Sequence, residues 1–143
     1  IAYSPLGRGF LTGTIRSVDD LDVNDWRCTT PRFQKEALTK NLQLVDAFHR
    51  MAERKGCTAT QLCLAWVLKQ WDGIFIIPGT KRVKYLEENR GAGDVVVTDE
   101  YYYDLRRYRD DIGVEGERYD QAWAKVVFFY FITIKLIVSV FLF

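Results

Sequence analysis

Residues 73–89 read GIFIIPGTKRVKYLEEN: an apolar run, a proline–glycine break, a hydroxyl, two cations, and then a segment of helical character. Ile74, Phe75, Ile76 and Ile77 suit a buried strand over 74–77, and the spacing from Val83 onward predicts a helix over 83–90. Such a helix points its unsatisfied N–H groups, and the positive end of its dipole, back at the turn. Gly79 permits close approach of the backbone to a ligand, Thr80 offers a hydroxyl donor, and Lys81 and Arg82 add full charge. Together these residues suit an anion, most naturally a phosphate. A solvated strand-to-helix turn carrying incidental cations is the plainer reading of the same five residues.

Upstream, Leu38, Leu42, Val45, Phe48 and Ala52 recur at helical spacing and predict a helix over 37–55, stopped by Lys55-Gly56. Thr58 followed by Gln61 reads as a capping box opening a second helix to about residue 70. Because QLCLAWVLKQ is apolar on most sides, that helix is expected to be sandwiched between other elements. Downstream, Gly91 and Gly93 end the helix over 83–90, and Thr98-Asp99-Glu100 starts a last one through about Arg109. Residues 1–4 form a first strand. A strand–helix–strand–helix order with long loops after the strands indicates parallel α/β architecture, in which ligands bind at the carboxyl ends of the strands.

The first strand runs into the second candidate region, IAYSPLGRGFLTG over 1–13. Ser4, Leu6-Gly7 and Arg8-Gly9 belong to a glycine-rich loop able to wrap a pyrophosphate with backbone amides and the Arg8 side chain. It matches neither the dinucleotide fingerprint nor the P-loop. Tyr3 offers a ring face to a flat heterocycle, or is an ordinary strand aromatic. Residues 14–34 are polar and aperiodic, and are expected to be a long surface loop without apolar anchors. Its carboxylates Asp19, Asp20, Asp22 and Asp25 have no partner base and read as solvated, while His49 reads as a helix-surface residue.

AYSPLGRGFLTG, PRFQKEALTKNLQLV, AERKGCTATQLCLAWVLKQ and IPGTKRVKYLEENRGA, in that order, resemble the carboxyl-terminal part of an aldo-keto reductase. The resemblance is greatest to the NADP-dependent pyridoxal/aryl-aldehyde reductase branch, covers about residues 1–125, and extends to GVEGERYD over 113–120. It implies the last strands and helices of a (β/α)₈ barrel, incomplete here, that transfers hydride between NADPH and a small-molecule carbonyl compound. It also implies that Tyr3 stacks on the nicotinamide and that Ser4, Pro5, Leu6, Gly7 and Arg8 cover the pyrophosphate. Gly79, Thr80, Lys81 and Arg82 would grip the adenosine 2′-phosphate, and Glu88 and Asn89 the adenine amine. The family's catalytic Asp, Tyr, Lys and His lie on earlier strands, so no catalytic residue is expected within the chain, nor any metal ligand. A catalytically dead nucleotide-binding or tail-anchored paralogue is the alternative.

Twenty cationic side chains against 19 acidic ones give no nucleic-acid signal. Three cysteines without ligand spacing or a signal peptide indicate reduced thiols and a cytoplasmic setting. The sequence begins at Ile1, without an initiator methionine, and reads as a fragment. Residues 126–143, VVFFYFITIKLIVSVFLF, differ sharply from the rest and form a separate apolar tail. It is expected as a helix projecting from the α/β part, of about 27 Å and near the lower limit for a bilayer span. A membrane anchor, an aggregation-prone segment and read-through of non-coding sequence compete for it. The last is favoured, with membrane contact the lesser reading.

Overall fold

The computed structural model describes residues 1–120 and 122–125. The expectations for the tail over 126–143 fall outside those residues. Two short strands, β1 (Ala2–Tyr3) and β2 (Ile76–Ile77), pair in parallel with Ala2 opposite Ile76 and Tyr3 opposite Ile77. Helices α1 (Lys35–Lys55), α2 (Ala59–Leu68), α3 (Val83–Arg90) and α4 (Asp99–Ile112) accompany them. The arrangement is α/β and rich in helix, with helices linking parallel strands as the element order predicted.

α2 is the hub. Thr58 Oγ1 accepts from the Gln61 N–H at 3.1 Å and the Gln61 side chain accepts from the Thr58 N–H at 3.1 Å, the reciprocal cap anticipated from the sequence. Ala59, Thr60 and all residues from Leu62 to Val67 are buried, because α2 meets α1, α3, β2 and the 3₁₀ turns Gly7–Thr12 and Gly91–Asp94. A helix enclosed on so many sides shows little amphipathic periodicity, as its sequence does. α1 instead buries one stripe, with Leu38, Leu44, Val45, Phe48, Met51 and Ala52 directed inward, and ends at Gly56 in the left-handed region. Trp66 is fully enclosed at the centre of the core. Its ring meets Phe48 edge-on at 6.4 Å, lies 6.1 Å from Tyr102 of α4 at an interplanar angle of 24°, and donates from Nε1 to the Tyr102 carbonyl at 3.3 Å.

Three expectations need correction. The strand over 74–77 is shorter, since only Ile76 and Ile77 pair; Phe75 and Ile77 are 69% and 56% exposed while Ile74 points inward. The neighbouring strand is only two residues long, and beyond the paired residues the Ala2 N–H donates to the Phe75 carbonyl at 2.6 Å. Residues 14–34 are anchored, not loose. Ile15, Leu21 and Phe33 are buried, and the 3₁₀ turns Val18–Asp20, Trp26–Thr29 and Pro31–Phe33 organise the path. Their carboxylates build these turns: Asp20 accepts from the Arg16 and Ser17 N–H groups, and Asp25 from Arg27. Isolated apolar residues between locally capped turns produce no periodic signal, so the sequence conceals them. His49 is half-buried, its ring lying where a side chain on Gly13 would have to go. Among the described residues, no helix is long and apolar enough to cross a membrane.

Candidate functional site

A cleft of about 750 Å³ opens where β1 and β2 end. One wall is the loop after β1, with Ser4, Pro5, Leu6 and Arg8; the other runs from Gly79, Thr80, Lys81 and Arg82 to Glu88 and Asn89 on α3. Ten of the twelve residues singled out from sequence therefore share one cavity, although the two walls lie some seventy residues apart in the chain. The other two are adjacent: Tyr3 is the last residue of β1, and Gly7 begins the 3₁₀ turn Gly7–Thr12.

The wall over 79–82 is open and positively charged. A Cβ on Gly79 would meet no protein atom, leaving the space beside it free for a ligand. Thr80 Oγ1 accepts from the Arg82 N–H at 3.3 Å and donates to the Arg82 carbonyl at 3.2 Å, folding the turn so that Arg82 becomes the residue before α3. No side chain caps the N-terminus of α3 among the described residues. Neither Lys81 nor Arg82 takes part in an ion pair among the described residues. Two exposed, uncompensated cations beside an uncapped helix start form a field complementary to a multiply charged anion.

The opposite wall is held in an uncommon backbone form. Ser4 and Arg8 have φ of 48° and 62°, a region few residues other than glycine enter. Such conformations persist only where surrounding contacts impose them, and they collect at ligand sites. The Gly7 N–H donates to the Ser4 carbonyl at 2.9 Å and Thr12 Oγ1 donates to the Gly9 carbonyl at 2.6 Å, closing the loop on itself. The Arg8 guanidinium differs from the expectation of a simple phosphate donor. It lies between the rings of Trp26 at 4.7 Å and Tyr119 at 4.3 Å and donates to the Arg118 carbonyl. Aromatic surfaces satisfy a guanidinium in this way when they enclose it from both sides.

Gly9 and Thr12, from the loop expected there, also line the cleft, and residues not anticipated from sequence complete it: Thr14, Arg27, Thr60 and Tyr85. Arg27 is the most consequential, because it brings a cation from the 14–34 segment while Asp25 holds it on both carboxylate oxygens at 3.0 and 2.6 Å. The Asp25-x-Arg27 spacing within a loop facing a glycine-rich turn was the available signal. Among the described residues, Glu88 is the only carboxylate in a lining that holds Arg8, Arg27, Lys81 and Arg82. The cleft's lining is thus predominantly positive, suited to a phosphorylated ligand.

Parallel strands with a positively charged cleft at their ends frame the site, and the chain belongs to the aldo/keto reductase family, whose model matches residues 1–109. It is 47% identical over 128 residues to the Schizosaccharomyces pombe protein "Aldo-keto reductase yakc [NADP(+)]", covering 90% of this chain and 38% of that protein. It is 42% identical over 118 residues to "Aldo-keto reductase str7" of Strobilurus tenacellus, covering 82% of this chain and 35% of that protein. The chain therefore spans less than two fifths of the length of these curated relatives.

Proposed function

We propose that residues 1–125 form the cofactor-holding part of an NADP-dependent aldo-keto reductase, acting within a (β/α)₈ barrel on a small aldehyde or ketone. The observation that carries this reading is the pair of uncompensated cations, Lys81 and Arg82, at the uncapped start of α3 in a cleft continuous with the loop after β1. The cleft's volume and charge suit a dinucleotide with its adenosine 2′-phosphate on Lys81 and Arg82, its adenine near Glu88 and Asn89, and its pyrophosphate along the loop over residues 4–8. The S. pombe relative's name, which specifies NADP(+), supports the same cofactor.

When bound, the cofactor supplies hydride. This chain's residues supply grip, orientation and charge neutralisation. The carbonyl compound and the groups that protonate it belong to the remainder of the barrel, and the exposed Phe75 and Ile77 beside β2 suit a sheet that continues on that side. Quenching of tryptophan emission by NADP⁺ tests the reading: saturable binding with one site per chain is expected, and no binding at millimolar cofactor would overturn it.

A further inference from the structure

The segment that follows α4 belongs to neither a strand nor a helix between Gly113 and Asp120, yet it is tied down along its length. Asn41, wholly buried on α1, donates to the carbonyls of Arg32 at 3.2 Å and Glu115 at 2.9 Å and accepts the Glu115 N–H at 2.8 Å. Gly116, at φ 83°, passes so close to the 31–32 backbone that a Cβ there would lie 2.8 Å from Arg32 Cα. Lys40 pairs with Glu115 at 2.8 Å. The strap so formed crosses to the end of β1.

What it delivers there is specific. Arg118 donates to the Tyr3 carbonyl at 2.9 Å while its guanidinium lies over the Tyr3 ring, 4.2 Å from the centroid. The Tyr119 hydroxyl donates to the Tyr3 hydroxyl at 3.3 Å, and the Tyr119 ring carries the Arg8 guanidinium. Burial and the Tyr119 hydroxyl raise the Tyr3 phenol above its ordinary range, so Tyr3 stays protonated at neutral pH. Two consecutive residues thus hold both Tyr3 and Arg8 from more than a hundred residues away. With the Arg118 guanidinium over one face of Tyr3, that face is closed to a flat ligand. Among the described residues, the strap's hydrogen bonds reach Tyr3, Arg8, Arg32, Lys40 and Asn41, and none reaches 79–89.

We infer that Arg118 and Tyr119 are positioning residues for the nicotinamide end of the cofactor, acting through Tyr3 and Arg8, and that the adenosine end does not depend on them. The inference rests on the proposed reading of the cleft as an NADP(H) site. Binding energy for the dihydronicotinamide ring is then set partly by a strap that need not touch the cofactor.

The test compares NADPH with adenosine 2′,5′-bisphosphate, which keeps the adenosine end and lacks the nicotinamide, on the 1–143 chain and its variants. Arg118→Ala is expected to weaken NADPH about tenfold and Tyr119→Phe about threefold, with the bisphosphate unchanged in both. Arg118→Lys, which keeps charge but loses the planar fork, is expected to recover only part of the loss. At saturation, the dihydronicotinamide emission should be less enhanced in Arg118→Ala than in the parent. Bisphosphate binding reports that each variant retains its fold, and Tyr119→Phe removes only a hydroxyl. If the parent binds neither ligand, the dinucleotide reading falls and takes this inference with it. If the parent binds both, three results overturn the inference alone: Arg118→Ala weakening both ligands alike, weakening neither, or tightening NADPH as a strap competing for the site would.

Discussion

Arg27 donates to the carbonyl oxygen of Arg8 at 2.9 Å, so a side chain from the 14–34 segment fixes the left-handed residue of the glycine-rich loop. The arrangement depends on Asp25, which grips the rest of the guanidinium and is itself only 16% exposed at the side chain. The guanidinium holds the Asp25 carboxyl below its ordinary range.

A carboxylate depressed on folding stabilises the protein above its unfolded pKa of about 3.9, and that stabilisation is lost as pH falls through the folded value. The urea midpoint of Asp25→Asn should therefore lie below that of the parent at pH 7, and the gap should shrink below about pH 4. A gap that stays constant down to acid would remove Asp25 from this role.

The three thiols should separate by burial. Cys63 is fully enclosed, and burial pushes its pKa far up, while half-buried Cys57 is raised by burial to a lesser degree. Because the thiolate is the reactive form, an aromatic disulfide reagent should titrate Cys28 first and Cys57 more slowly in the native protein. Cys63 should appear only in denaturant. Rapid native labelling of Cys63 would mean that α2 is not the buried hub.

Trp66→Ala should cost about 3–5 kcal/mol, a large part of the stability of a small domain. The change removes the contacts to Phe48 and Tyr102 together. Urea denaturation measures it, and a loss under about 1 kcal/mol would contradict the packing described. By contrast, Thr58→Ala should cost about 1 kcal/mol, the usual worth of a helix cap.

Elements with local causes were legible in the sequence. The start of α2 could be read because both halves of its cap, Thr58 and Gln61, stand three residues apart, and the turn over 78–82 because a proline–glycine break separates two periodic runs. Features built by distant contacts could not be read this way. Arg27 enters the cleft through the Arg8 carbonyl, and Arg118 meets Tyr3 across more than a hundred residues, neither of which leaves a periodic trace. Ile15, Leu21 and Phe33 escaped notice for the same reason, since single anchors between short turns look like a polar loop. Ser4-to-Arg8 was recognisable as a glycine-rich turn, whereas the commitment of the Arg8 head group to Trp26 and Tyr119 required the strap to be in place.

On the proposed reading, in which the groups that protonate the substrate belong to the remainder of a barrel, the polypeptide of residues 1–143 should bind cofactor without turning over a carbonyl compound. Rigorously purified protein should show no NADPH oxidation with 4-nitrobenzaldehyde above a matched blank. Oxidation that co-purifies with the chain and scales with its concentration would place proton-donating groups within it.

Lys81 and Arg82 are proposed to receive a 2′-phosphate, and calorimetric titration of NADP⁺ against NAD⁺ tests that assignment. Hydrogen bonds to charged groups contribute about 1.5–3 kcal/mol each, so Lys81→Ala with Arg82→Ala should weaken NADP⁺ at least about a hundredfold. NAD⁺, which carries a hydroxyl at that position, should change by no more than about threefold. Equal losses for the two cofactors, or none for NADP⁺, would contradict the account.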